Sequence, residues 1–304
     1  MLKFIQSRLV VTSQINLIWL SLLTSCLSPL GGNFDWTYHL DANKPKRLPY
    51  HLFDNPRYRF CLAIHYADLK NVNKGLARGV SVKEKCFVPG TIPHRAIMEL
   101  AVDAVGEPRD KAKIVDALLR RGADLRSIEN NWSLHSVASR GELDLMRVLI
   151  KHGINLNRFT LNGETLLGGA IVNRSLEEPS CKDSLNGSET YLSCLHKDPI
   201  DMVRLLVQKG AKPNFSHLSG AAEYGHVETF KFLIRRKVPG TIVKKGRTFN
   251  AIEGIKYRIE KCRSQFVGPC KLLGEYEDRK DEIEDIMRSA GYDPERKGGV
   301  VKYD

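Results

Sequence analysis

Residues 131–157 (NWSLHSVASRGELDLMRVLIKHGINLN) carry the clearest periodic pattern of apolar positions in the chain. Apolar side chains recur at helical spacing from Leu134 onward and again from Leu143 onward, which predicts two short amphipathic helices. Gly141 separates the two patterns and Gly153 follows the second, where glycine favours a tight turn and a helix end. Such a helix pair buries little apolar surface by itself, so we expect it to pack against similar neighbours.

The pattern recurs along the chain. Versions of the sequence KHGINLN occur at residues 120–126, 151–157 and 208–214. Gly122 and Gly153, inside the first two, are 153 − 122 = 31 residues apart. Residues 218–237 repeat the whole helix-pair pattern, with Gly225 and His226 at the central turn. This recurrence predicts a stack of repeated helix pairs.

The repeats resemble those of the ankyrin family, which have a period of about 33 residues and a TPLH-x-A opening. The match is close over residues 131–157 and 216–237 and looser over residues 91–125 and 165–214. The resemblance implies an all-α ankyrin-repeat solenoid of about five to six helix pairs over residues 50–304, a fold that characteristically binds proteins.

Three units are interrupted at the turn between their paired helices. The extra segments are expected at residues 103–110, 173–199 and 258–280, and the last lies between predicted helices over 248–257 and 281–289. Because the repeats stack in register, these insertions should lie along one edge of the solenoid.

The first residues change the expected compartment. Residues 1–25 place two basic residues before a short apolar run, INLIWLSLL, which is typical of a signal peptide. The run ends at Leu23-Thr24-Ser25-Cys26, which resembles a bacterial lipobox. The resemblance implies lipidation of Cys26, a tether over residues 26–49, and a periplasm-facing protein that Leu27 assigns to the outer rather than the inner membrane. A plain cleaved signal peptide is the alternative.

Six further cysteines form three local pairs: Cys61 and Cys86, Cys181 and Cys194, and Cys262 and Cys270. In an oxidising compartment an even number of cysteines indicates disulfides. Fifteen connectivities are possible, and we favour the neighbouring pairs because the sequence between their members is loop-like. A zinc site is the rival, but no pair has C-x-x-C spacing and none lies beside a pair of histidines. We therefore expect no metal.

The formal net charge of +12 first suggests nucleic acid or another anionic partner. However, no nucleic-acid-binding motif is present, and an exported protein meets no genome. The basic clusters usually fall in the last turn of a predicted helix, where they complement the helix dipole. They comprise Lys44, Lys46 and Arg47; Arg120 and Arg121; Arg235, Arg236 and Lys237; and Lys244 and Lys245. The charge favours acidic protein partners or anionic headgroups.

We find no catalytic site and no cofactor motif. His94 and His135 stand at the TPLH histidine position and His226 at the Gly-His position, where the resemblance implies hydrogen bonds that brace neighbouring loops. There is no G-x-S-x-G, no H-E-x-x-H and no phosphate-binding glycine loop. An enzyme remains possible only if its site is hidden in the insertions.

In architecture the chain resembles the immunity lipoproteins that protect bacteria from type VI secretion effectors, notably phospholipase toxins. That resemblance implies a protein that binds and blocks a toxin or lipase, and we expect the protein to be monomeric when unbound. The alternative is an envelope scaffold or chaperone. Candidate contact residues lie at the insertion edge: Glu177, Lys182, Arg258, Lys261, Arg263 and Lys271.

Overall fold

A computed structural model describes residues 55–88, 95–129, 132–159, 164–172, 197–264 and 273–295. The helices of the first half are α1 (Pro56–His65), α2 (Leu69–Ala77), α3 (Ile97–Val102), α4 (Pro108–Arg120), α5 (Arg126–Glu129), α6 (Trp132–Ser139) and α7 (Leu143–Lys151). The second half contains α8 (Leu166–Val172), α9 (Ile200–Gln208), α10 (Phe215–Glu223), α11 (Val227–Arg235), β1 (Thr241–Lys244), β2 (Arg247–Asn250), α12 (Glu253–Arg263) and α13 (Leu273–Ser289).

Apart from the short α5, the described helices form six consecutive pairs: α1–α2, α3–α4, α6–α7, α8–α9, α10–α11 and α12–α13. The first helix of each pair contacts the first helix of the next, from α1 through α12. The second helices also contact one another from α2 through α7 and from α9 through α13. The predicted ankyrin-type stack of five to six helix pairs is therefore confirmed.

The core runs through all six pairs as one cluster of buried apolar side chains. Phe60 in α1, Phe230 in α11 and Tyr276 in α13 are among its largest fully buried members. In α7 the buried residues are Leu145, Met146 and Leu149, so one stripe of the amphipathic helix faces the stack.

The same turn ends the second helix of successive repeats. After α7, Gly153 has φ 88° and donates its N–H to the Ile150 carbonyl, while the Ile154 N–H donates to the Leu149 carbonyl. This is a Schellman motif, which needs a left-handed residue and brings the following apolar residue against the helix. The same bonds recur at Gly79, Gly122, Gly210, Lys237 and Gly291. Lys237 alone of this set is not a glycine, although its φ is 61°.

The hairpin formed by β1 and β2 departs from the predicted all-helical pattern. Its strands pair antiparallel, with Thr241 opposite Asn250 and Lys244 opposite Arg247. Thr248 lies in β2, so the predicted helix over 248–257 is wrong at its start, and α12 begins at Glu253.

The predicted insertion over 258–280 is also too long. Helix α12 continues to Arg263 and α13 begins at Leu273, so only residues 264–272 separate them. The buried positions of α12 continue through Arg258 and Cys262. Because an arginine and a cysteine occupy these positions, the apolar period in the sequence ends one turn before the helix does.

Other predicted boundaries involve residues outside the described ranges. The signal peptide over 1–25 and the tether over 26–49 lie outside the described residues. The predicted insertion at 173–199 falls between the end of α8 at Val172 and the start of α9 at Ile200, and residues 173–196 of it are likewise outside.

Candidate partner-binding surface

The predicted bracing histidines lie inside the stack. His135 in α6 is 3% exposed, and its Nε2 lies 2.7 Å from a carboxylate oxygen of Glu164 in the next repeat. Its ring packs on Gly169, where an added Cβ would lie 2.6 Å from ring atoms. His226 is fully buried, and its Nε2 lies 3.1 Å from the Ile171 carbonyl oxygen of the preceding repeat. These two side chains join successive repeats, whereas His94 lies outside the described residues.

His217 is a third repeat-joining histidine, which the sequence interpretation missed. Its Nδ1 accepts the Asn214 N–H and its own N–H donates to the Asn214 side chain, forming a capping box at the start of α10. Its Nε2 lies 2.8 Å from the Thr165 hydroxyl of the preceding repeat. Burial lowers the pKa of His217 to about 4, so the neutral ring makes these bonds. Asn214 three positions upstream is the sequence signal that indicates the cap.

A buried ion pair joins α4 to the start of α7. The Lys111 ammonium lies 2.6 Å from Oε1 of Glu142, and the Arg140 Nε donates to the same oxygen at 2.7 Å. Lys111 and Glu142 are 6% and 7% exposed. Glu142 stands where His226 stands in the later repeat, so charged or aromatic polar side chains fill equivalent interior positions. These interior polar groups connect repeats to one another.

The described residues hold neither a cluster of metal ligands nor a membrane-spanning helix. Among the residues that the structure describes, no group of three or more His, Cys, Asp or Glu side chains is placed to hold a metal ion. Within those same ranges, no helix has both the length and the apolar character needed to cross a bilayer.

Three of the predicted contact residues lie in the described part of the chain, all of them in α12, and one is buried whereas two are exposed. Arg258 is only 8% exposed, and its guanidinium is 3.2 Å from Glu223 and lies over the Tyr224 ring at 4.2 Å. It therefore packs α12 on α10 and does not present its charge to a partner, which corrects the predicted contact.

The other two contact residues are at the surface. Lys261 is exposed and lies 5.6 Å from the centre of the Tyr257 ring, which is itself 56% exposed. Arg263 is exposed and pairs with Glu277 of α13 at 2.5 Å. Glu177, Lys182 and Lys271 lie outside the described residues.

The cysteine pairing is confirmed at one of the three predicted positions. Cys61 of α1 and Cys86 form a disulfide, and both are buried. Cys262 is disulfide-bonded as well, and its pairing with Cys270 stays a prediction. Cys26, Cys181, Cys194 and Cys270 lie outside the described residues.

A shallow groove of about 360 Å³ runs between the second helices α4 and α7. It is lined by Arg109, Ala112, Lys113, Asp116, Asp144, Val148 and Lys151. Its charges satisfy one another: Asp116, for example, accepts from His152, Lys151 and Arg120, and the His152 hydrogen bond is the largest cause of the lowered pKa of Asp116. A groove with internally paired charges offers a partner little electrostatic gain.

The charges are unpaired at another part of the surface. Residues 200–250 hold ten lysines and arginines against three aspartates and glutamates, a net charge of +7. Nine of these cations are exposed and form no ion pair with the carboxylates of the described residues. One of them, Arg204, lies within α9, and the other eight lie at or after the end of α9 or α11 or in the hairpin. These eight are Lys209, Lys212, Arg235, Arg236, Lys237, Lys244, Lys245 and Arg247. We call this set the basic edge.

The helix pairs and their repeated turns define the fold of the described residues as a stack of helix pairs of the ankyrin type. No protein-family model matches the sequence. Among curated proteins the chain is 30% identical over 115 residues to the potassium channel AKT2/3 of Arabidopsis thaliana, a match that covers 37% of this chain and 14% of the channel.

Among solved structures the chain is similar to EF0377, an ankyrin repeat protein. The TM-score is 0.48 at 19% identity, and the match covers 78% of this chain and 98% of the other. The fold assignment therefore rests on the repeated helix pairs and turns of this chain.

Proposed function

We propose that this chain is a protein-binding repeat protein and, more specifically, an immunity protein that binds and neutralises a type VI secretion toxin of the phospholipase or lipase class. The observation that carries the binding role is the preformed stack. Interior side chains join adjacent repeats: His135 lies 2.7 Å from Glu164 of the next repeat, and His217 lies 2.8 Å from the Thr165 hydroxyl of the preceding one. A rigid surface loses little conformational entropy on association, which favours tight binding.

The finer part of the proposal rests on the sequence. The lipobox-like Leu23-Thr24-Ser25-Cys26 and the repeats together resemble the immunity lipoproteins, and a protein held at the periplasmic face of the membrane would meet an incoming toxin there. The basic edge supplies unpaired positive charge for an acidic toxin surface. Binding over the toxin's active site would block access of its substrate.

Capture from the source cells tests the proposal. The full-length protein, tagged at its C-terminus, is expected to retain one stoichiometric partner through a moderate salt wash. Adding the purified protein to that partner should inhibit the partner's lipase or other toxic activity. Several weakly held envelope proteins would favour the scaffold or chaperone, and a single partner whose activity is not inhibited would overturn immunity.

The membrane anchor has a separate test. If Cys26 carries lipid, the wild type should fractionate with the outer membrane, and Cys26→Ser should leave that fraction, because the acyl chains provide the anchoring free energy. Equal membrane association of both proteins would contradict the anchor and leave toxin binding to be judged by the inhibition assay.

A further inference from the structure

We infer that the basic edge is the docking site for an acidic protein segment and that the β1–β2 hairpin is its central contact. The inference deepens the proposed function and rests on it in taking the partner to be a protein. It begins with the position of the cations. Helices α9 and α11 pack side by side at equivalent places in successive repeats, so their C-terminal ends face the same way.

Lys209 and Lys212 follow α9, while Arg235, Arg236 and Lys237 end α11. Three residues separate Lys237 from the start of the hairpin at Thr241. The three cations that end α11 are thus close in sequence to the three cations of the hairpin, whereas Lys209 and Lys212 lie at the neighbouring helix end. The helix dipoles stabilise the five cations at the helix ends, but they do not act on the three cations of the hairpin.

The hairpin is firmly attached at its base and exposed at its tip. Asn250 is 2% exposed and donates to the Asp293 carbonyl, and the Ala251 N–H donates to the Gly240 carbonyl. Exposure then rises along the strands, and Val243 at the far end of β1 is 70% exposed. Two four-residue strands project the tip roughly 13 Å from that base. The hairpin therefore holds its charges out on a fixed support.

The backbone conformation and the charges at the hairpin tip are both unfavourable for stability. Lys245 and Gly246 have φ 52° and 72°, which is the type I′ turn that asparagine or glycine, and not lysine, normally fills at its first position. Lys244 and Arg247 face each other across the strands, and like charges in that relation repel. A local conformation that is unfavourable for both backbone and charge indicates a functional constraint. A bound carboxylate group would relieve the repulsion.

The chemistry of the site favours a protein over other anions. Val243 is the exposed large apolar residue of the hairpin, and one valine provides too little apolar surface to insert the hairpin into a bilayer. The strand edges offer main-chain groups to an extended segment, which carboxylates alternating with small apolar residues would match. We therefore commit to an Asp/Glu-rich segment as the occupant.

The decisive experiment combines two triple variants of the full chain. The hairpin variant, Lys244→Thr, Lys245→Asn and Arg247→Thr, removes three cations and installs the residue that the turn prefers. The control variant, Lys70→Thr, Lys74→Thr and Arg78→Thr, removes three exposed cations of α2 and its end that also lack an ion pair among the described residues. Both variants lose the same net charge.

The probe is a peptide of about twelve residues that alternates glutamate and valine, with vesicles containing anionic phosphatidylglycerol and a single-stranded oligonucleotide as competing ligands. We expect the peptide affinity of the hairpin variant to fall about tenfold or more, with little change in the control. The melting temperature of the hairpin variant should rise by a few degrees.

Other outcomes overturn the inference in distinguishable ways. An equal loss of peptide affinity in the two variants would show that net charge alone causes the effect. A lower melting temperature of the hairpin variant would show that the three cations stabilise the fold. If vesicles or the oligonucleotide bind more strongly than the peptide, and this binding depends on the hairpin, the ligand of the basic edge is a membrane or a nucleic acid and not a protein segment. None of these results depends on the capture experiment, so failure of the immunity proposal remains separable from failure of the site.

Discussion

At the residue scale, certain backbone conformations recur in every described repeat even where the amino acid at that position differs. The left-handed position after the second helix holds glycine in most repeats and Lys237 in one, with the same two hydrogen bonds. The left-handed position between paired helices holds Gly141, Gly225 and, in the first repeat, Ala67 with φ 51°. The backbone geometry belongs to the repeat, and a residue with a side chain there is strained.

Lys237→Gly should therefore stabilise the protein. We expect the free energy of unfolding to rise by about 0.5–1 kcal/mol, because glycine removes the steric cost of φ 61°. Urea denaturation with an unchanged m-value measures this change. The matched control is Gly153→Lys at φ 88°, which should lower the free energy by a similar amount or more. A loss of stability in Lys237→Gly would contradict the strain.

His217 should make stability depend on pH. Because burial lowers its folded-state pKa to about 4, below the value of about 6.5 in an unfolded chain, the unfolded state binds the proton more readily. Its contribution is therefore full above pH 6.5 and is lost as the pH falls toward 4, by roughly 3 kcal/mol in total.

The measurement is the difference in unfolding free energy between the wild type and His217→Gln. Comparison with the variant removes the titration of other groups. The difference should shrink as the pH is lowered from about 7.5 to about 4. An imidazole that titrates near 6.5 by NMR, or a difference that does not change with pH, would show that the neutral ring is not required.

At the element scale, the first and last described helix pairs each pack against one other pair among the described residues, so they need other means of stabilisation. In the first described pair, the Cys61–Cys86 disulfide attaches the segment after α2 back to α1. In the last described pair, Asn250 and Lys256 donate to carbonyl groups of residues 293–294 beyond α13. Each end is thus secured by a contact outside the helix-pair pattern.

The double variant Cys61→Ala, Cys86→Ala should lose about 3 kcal/mol of unfolding free energy, because the disulfide closes a loop with a sequence separation of 25 residues. Urea denaturation under non-reducing conditions measures the loss. A reductant should destabilise the wild type more than the variant, which no longer contains this bond. A change well below 1 kcal/mol would show that the first repeat holds without it.

At the scale of the whole molecule, the uneven pairing of charges governs how a partner approaches. The charges around the α4–α7 groove are paired, whereas the basic edge is not. Unpaired surface charge acts mainly on the rate of encounter and on its sensitivity to salt.

Association with the captured partner should therefore slow about tenfold or more as ionic strength rises from about 0.05 to about 0.5 M, with a smaller change in the dissociation rate. Surface plasmon resonance with the full-length protein measures both rates. The α2 control variant should retain the salt dependence and the hairpin variant should lose much of it. An association rate that is insensitive to salt would remove the basic edge from the encounter.

The amino-acid sequence determined the repeat itself. The helical spacing of Leu143, Met146 and Leu149, the recurrent glycines and the neighbouring cysteines Cys61 and Cys86 are local features, and the elements and the disulfide that they predict are present. These features work from sequence alone because each depends on residues a few positions apart or on a pattern repeated along the chain.

Tertiary structure alone decided which polar residues are interior. Arg258 looks like a surface cation in sequence, yet it is enclosed by Glu223 and Tyr224 of the neighbouring repeat, and His217 bonds to Thr165 some fifty residues away. The hairpin tip shows the converse. In sequence, Lys244 and Lys245 look like a basic pair at the end of a helix, but in the structure they lie at the exposed tip of the β1–β2 hairpin. Whether a charge is buried, paired or free depends on which distant segment packs against it, and that is a property of the stack and not of the residue.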